Sequence, residues 1–118
     1  MDRINRDLSI IKKIIKYCNE IKETHDKFGN TFQEFQKDKD YFKSISMSLL
    51  LIGELTNHLS KDFQKRYKEI DFIAIIALRN IVVHGYDTLD LKKLWDIAHE
   101  KTVLLQIKCN EILTEINK

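Results

Sequence analysis

The chain has 118 residues, 43% hydrophobic and 32% charged, with 20 Lys and Arg against 18 Asp and Glu. That is enough for one domain, residues 1–118, with a real core. The net charge of +2 is too small to argue for a nucleic-acid partner by itself. There is no proline and only three glycines, which argues against a turn-rich sheet protein and for a few long helices.

The two cysteines, Cys18 and Cys109, are far apart and each falls on an apolar helical stripe. Buried free thiols are expected, not a disulfide or a zinc site. The N-terminus opens on a charged amphipathic pattern with no apolar signal core. The longest apolar runs are too short to span a bilayer. The expected setting is a reducing cytoplasm, with no membrane partner.

The first helix is expected from a cap at Asp2 to the region of His25 to Lys27, where Gly29-Asn30 is a stop signal. Ile4, Leu8, Ile11, Ile15 and Cys18 line one face, and Ile10, Ile14, Tyr17 and Ile21 form an adjoining row. A stripe this wide needs at least two packing neighbours. Thr31 restarts the chain, with Phe32 and Phe35 on a short helical turn.

Asp38 or Asp40 caps a second long helix, with Tyr41, Ile45, Leu49, Ile52, Leu55 and Leu59 inward. Ser44, Ser46 and Ser48 leave room for a close helix contact. Gly53 inside this helix costs ~1 kcal/mol relative to Ala, which implies another backbone or side chain coming close. Glu54 and His58 stand one turn apart. Two ligands are not a metal site, and a polar pair on the helix flank is the simpler reading.

Residues 61–67 continue this helix or form a short turn of their own. Asp71 caps a third helix, whose Phe72, Ile73, Ile75, Ile76 and Leu78 make it apolar nearly all round. It is therefore expected to be the most buried element, to reach His84, and to close at Gly85 in the left-handed conformation. Asp90 caps a last helix with Leu91, Leu94, Ala98, Thr102, Leu105, Cys109, Ile112 and Ile116 on one stripe and Trp95 beside it. The fold class expected is all-α, an antiparallel four-helix bundle. The basic clusters Lys12-Lys13-Lys16, Lys61-Lys65-Arg66-Lys68 and Lys92-Lys93 read as solvated faces.

The stretch Arg79-Asn80-Ile81-Val82-Val83-His84-Gly85-Tyr86 concentrates the chemistry. Arg79 offers a planar fork suited to phosphate. His84, at a helix C-terminus where unpaired carbonyls favour a cation, is a candidate acid/base near neutral pH. Asn80 adds an uncharged donor and acceptor, and Tyr86 a phenol beyond the helix end. Five residues on an ideal helix separate Arg79 and His84 by ~140°, so one copy of the motif looks incomplete. The plainer alternative is structural: Arg79 ties down carbonyls, His84 caps the helix and Tyr86 packs.

Arg79, His84 and Tyr86, as Arg-x4-His-x-Tyr with Asn80 after the Arg, resemble the motif of the HepT-like branch of the HEPN superfamily. The resemblance extends through Ile52-Gly53-Glu54, Leu59-Ser60, Ile70-Asp71-Phe72, Leu91 and Trp95. Phe72 stands where the family tends to have Trp, and the first helix matches only in pattern. The resemblance implies a HEPN-like homodimer with both motifs in one cleft, acting as a metal-independent endoribonuclease toxin. Arg79 and His84 would be catalytic, with Asn80 supporting the phosphate or RNA contact. No metal or other cofactor is implied. The implied partners are RNA and an antitoxin, a minimal nucleotidyltransferase of the MNT type that adds AMP to Tyr86. The alternative from a different class is a non-catalytic module that only docks a nucleotidyltransferase.

Overall fold

The computed structural model describes residues 2–84 and 91–116, and within them every side chain except those of residues 2, 3 and 84. Among the described residues the regular structure is helical throughout, with no strand. The expectations at Tyr86, at Gly85 and for an Asp90 cap lie outside the described residues.

Helix α1 runs Asp2–Phe28. Of its two expected apolar rows, the one through Ile10, Ile14 and Ile21 sits deepest, joined by Ile11 and Cys18. Ile4 is exposed, and Leu8 and Ile15 are half-buried. The helix packs on α3 (Lys39–Asn57) and on α8 (Thr102–Ile116), the two neighbours its wide stripe requires. It stops where Gly29 (φ 97°) and Asn30 (φ 52°) turn left-handed, a conformation that Gly and Asn adopt at least cost.

Thr31 then caps α2 (Phe32–Lys37), its hydroxyl accepting the Glu34 N–H. Of the two carboxylates considered for α3, Asp38 is the cap: its Oδ1 accepts the backbone N–H of Asp40 at 2.9 Å and of Tyr41 at 3.3 Å. Tyr41, Ile45, Leu49 and Ile52 are fully buried along the inner face of α3. Leu55 is only half-buried, and Leu59 is buried beyond the helix end. Thr24 and Ser44 share a hydroxyl–hydroxyl hydrogen bond at the α1–α3 contact.

Residues 61–66 form a separate helix, α4 (Lys61–Arg66), capped by Ser60. Asp7 of α1 reaches across to this cap. Its two oxygens accept the Ser60 N–H at 2.9 Å and the Ser60 hydroxyl at 2.7 Å. Asp7 is buried, so this carboxylate pins the start of α1 to the α3–α4 connection.

Asp71 caps α5 (Phe72–Ile76), accepting the Ala74 N–H at 3.1 Å. Here an expectation fails. The helix after Asp71 is neither continuous nor the most buried one. It breaks at Ala77 and resumes as α6 (Leu78–His84). Only Phe72, Leu78 and Val82 are buried, while Ile73 is 82% exposed and Val83 53%. The central helix is α3, which packs against α1, α2, α5 and α6. Apolar residues all round this segment therefore do not mean burial: part of its apolar surface is exposed among the described residues.

The last helical run begins as α7 (Leu91–Asp96), widens into a π-helical turn at Ile97–Lys101 and continues as α8. Leu94, Ala98, Thr102, Leu105, Cys109 and Ile112 are buried as the stripe predicts. The Thr102 hydroxyl donates to the Ala98 carbonyl at 2.6 Å. Cys18 and Cys109 are buried free thiols, and burial pushes each up to about 12. No helix among the described residues is long and apolar enough to cross a membrane.

Candidate functional site

The site residues that can be placed ride on α6. Leu78 and Val82, four apart, anchor this helix inward, which turns Arg79, Asn80 and Val83 outward. Arg79 is its second residue and His84 its last. One unbroken helix therefore joins them, with an axial rise of ~7.5 Å and a rotation of ~140° between their backbones. The His84 backbone is described and its side chain is not; Tyr86 lies outside the described residues.

Gly53 explains how α6 is held. A Cβ at that position would lie 3.2 Å from the Arg79 amide nitrogen, 3.2 Å from the Ile75 carbonyl oxygen and 3.4 Å from that of Ile76. The bare Cα of α3 thus admits the backbone of α5 and α6 at their junction. The break at Ala77 falls at this crossing, with no Gly or Pro to announce it. The expectation of a close approach at Gly53 holds, and the atoms approached are backbone: the Arg79 nitrogen and the carbonyl oxygens of Ile75 and Ile76.

The next residue holds the side chain. Glu54 Oε1 meets Arg79 Nε at 2.8 Å, with the Arg79 side chain 61% exposed and that of Glu54 37%. Sequence reasoning paired Glu54 with His58, one turn away. The fold instead gives it to a cation 25 positions later, while His58 becomes the exposed C-cap of α3. The available signal was the Gly-Glu pair: a glycine admitting a helix, followed by a carboxylate on the same turn. Among the described residues no group of three or more His, Cys, Asp or Glu is placed as a metal site.

On the same two helices, α5 and α6, the apolar side chains of Ile73 and Val83 are exposed. The basic clusters elsewhere are solvent-facing, and ion pairs there join Arg66 to Glu115 at 3.4 Å and Lys92 to Asp96 at 3.3 Å.

A second titratable cluster lies in the core. His25 Nδ1 and the Tyr41 hydroxyl are 2.5 Å apart, and the His25 ring packs on Trp95 and His99. His99 in turn meets Asn30 Oδ1 at 2.6 Å. Burial, with His99 beside it, lowers the His25 pKa to about 4. Burial raises that of Tyr41 to about 12. Neutral rings belong to this core, which makes it a packing unit rather than an acid/base pair.

The family model of the HepT-like ribonucleases matches residues 8–112, a span that takes in all of Arg79 to Tyr86. A Methanocaldococcus jannaschii protein whose name marks it as a candidate RNase is 30% identical over 109 residues, covering 92% of this chain and 83% of that one. A candidate RNase of Caldanaerobacter subterraneus is 26% identical over 85 residues, 72% of this chain and 76% of its own. A Thermococcus cleftensis protein named as a candidate ribonuclease HepT is 26% identical over 81 residues, 69% of this chain and 74% of its own. No solved structure matches the chain.

Proposed function

Because the chain belongs to the HepT-like ribonuclease family, we propose that it is a metal-independent endoribonuclease toxin with Arg79 and His84 as its catalytic residues. The observation that carries this reading is the setting of Arg79. Its backbone is locked against Gly53, yet its guanidinium stands at the surface. A cation fixed at its root and open at its tip suits a phosphate rather than a core.

RNA brings its own nucleophile, the 2′-hydroxyl. His84 takes the proton from that hydroxyl as the 2′-oxygen bonds to the adjacent phosphorus. The bond from phosphorus to the 5′-oxygen breaks, and the departing oxygen takes a proton from an acid in the cleft. The products are a 2′,3′-cyclic phosphate and a 5′-hydroxyl. Arg79 stabilises the charge that builds on the phosphoryl oxygens, and Asn80 supports the same contact. The guanidinium supplies the charge that a metal would otherwise supply.

One copy of the motif supplies one imidazole and one guanidinium, rooted ~140° apart on the backbone of α6. A homodimer closed over the exposed Ile73 and Val83 surface would bring two α6 helices into one cleft and double its cations. An MNT-type nucleotidyltransferase is the antitoxin in this reading. It transfers AMP from ATP to the Tyr86 hydroxyl with release of pyrophosphate, adding negative charge and bulk where the RNA phosphate sits.

The test is cleavage of a labelled RNA with excess chelator, beside the same oligonucleotide carrying a 2′-deoxy sugar at the cut site. The expected result is cleavage of the RNA alone, with cyclic phosphate ends. Cutting of the deoxy substrate, or dependence on a divalent ion, would overturn the mechanism. Tight binding of the nucleotidyltransferase with no cleavage of any RNA would favour a docking module.

A further inference from the structure

The mechanism above leaves the Glu54–Arg79 pair unused. As a stabilising contact it is poor, because both side chains reach solvent and exposed pairs contribute little. Its geometry is more telling. Glu54 meets the guanidinium at Nε, 2.8 Å away. A phosphate gripped by two parallel hydrogen bonds needs one free edge of the fork. With Nε occupied, the edge left for it is that of the two terminal nitrogens.

Glu54 also follows Gly53, whose bare Cα faces the Arg79 amide. One turn of α3 therefore restrains Arg79 twice, at its backbone and at its Nε. An unrestrained arginine would sample many rotamers and would have to be ordered with each turnover. We propose that Glu54 is a positioning residue: it holds Arg79 by Nε so that the terminal nitrogens face the scissile phosphate. This rests on the ribonuclease reading, deepens it, and gives the acidic residue a role in a site that binds an anion. The carboxylate touches the guanidinium and not the substrate.

The test compares Glu54→Ala and Glu54→Gln with the parent chain. Glu54→Ala should lower kcat on the order of 10- to 100-fold, the scale of a misplaced catalytic group, with an unchanged melting temperature. Glu54→Gln keeps a side-chain oxygen within reach of Nε and should recover most of that loss. Parent-like kcat in Glu54→Ala overturns the proposal. So does a Glu54→Gln as slow as Glu54→Ala, or a kcat that falls only in step with stability.

A second measurement stands apart from activity. In 15N-labelled protein the Arg79 Nε–H signal, assigned by its loss in Arg79→Lys, should exchange with water several-fold faster in Glu54→Ala than in the parent. Equal exchange overturns the positioning role. If the parent cuts no RNA, the ribonuclease reading fails, and this signal still decides whether Glu54 holds Arg79.

Discussion

Replacing Gly53 with Ala tests the link between fold and site, because two effects of opposite sign meet at one atom. In a free helix, Gly→Ala gains ~1 kcal/mol. Here the added methyl would lie 3.2 Å from the Arg79 nitrogen, 3.2 Å from the Ile75 oxygen and 3.4 Å from the Ile76 oxygen. All three are backbone atoms, so no side chain can swing away. α5 and α6 must retreat by a few tenths of an ångström, and overpacking of this kind costs about 1–3 kcal/mol. The net effect is a loss of up to ~2 kcal/mol, or several degrees in melting temperature for a domain this size. The retreat also moves the root of Arg79, and small misplacements of a catalytic group are expensive. Thermal unfolding and RNA cleavage should therefore both fall in Gly53→Ala, cleavage by roughly tenfold or more. A variant that melts higher by the full helix-propensity gain and cleaves like the parent would refute the reasoning.

Asp7→Ala strips both acceptors from Ser60 and should cost about 2–4 kcal/mol in urea unfolding, with Asp7→Asn in between; a loss below ~1 kcal/mol would show that α1 is not pinned there. His25 should make stability depend on acid. Its folded pKa, about 4, lies below the ordinary 6.5, so the unfolded chain takes up the proton first. This contribution is complete above pH 6.5 and is lost as pH falls toward 4. It amounts to roughly 3 kcal/mol at about 1.4 kcal/mol per pKa unit. Urea titrations across that window should show a shallower slope in His25→Gln, and an unchanged slope would exclude His25 as its source. If the proposed homodimer closes over Ile73, which is exposed, the parent should sediment as a dimer and Ile73→Glu as a monomer with an intact helical spectrum; a dimer that persists would move the interface elsewhere.

Helical spacing made much of the fold legible. The inner faces of α3 and the run from Leu91 onward follow from it, as do the buried thiols; the cap at Asp71 was read from its residue type, while the choice between Asp38 and Asp40 needed the structure. What failed was the equation of apolar with buried. Ile73 and Val83 are as apolar as Leu49, but among the described residues they stand exposed. Spacing does not say whether the neighbour is the same molecule.

Pairings between distant segments were equally hidden. Asp7 finds Ser60, and Glu54 finds Arg79, only after α1, α3 and α6 have packed. Sequence offered Glu54 a nearer partner, His58, and nothing local ranked the two. Gly53 was the exception. A glycine in a helix interior carries a cost that implies a close neighbour, and the neighbour proved to be the backbone of Arg79. His84 and Tyr86 rest on the motif Arg-x4-His-x-Tyr.

The most direct measurement is cleavage of one labelled RNA by parent, Arg79→Ala and His84→Ala proteins, prepared identically and matched for helical content. The parent should cut, and both variants should lose at least about 100-fold in kcat/KM, the loss that follows removal of a single acid/base or oxyanion-stabilising group. Parent-level cleavage by His84→Ala or by Arg79→Ala would contradict that residue's catalytic role.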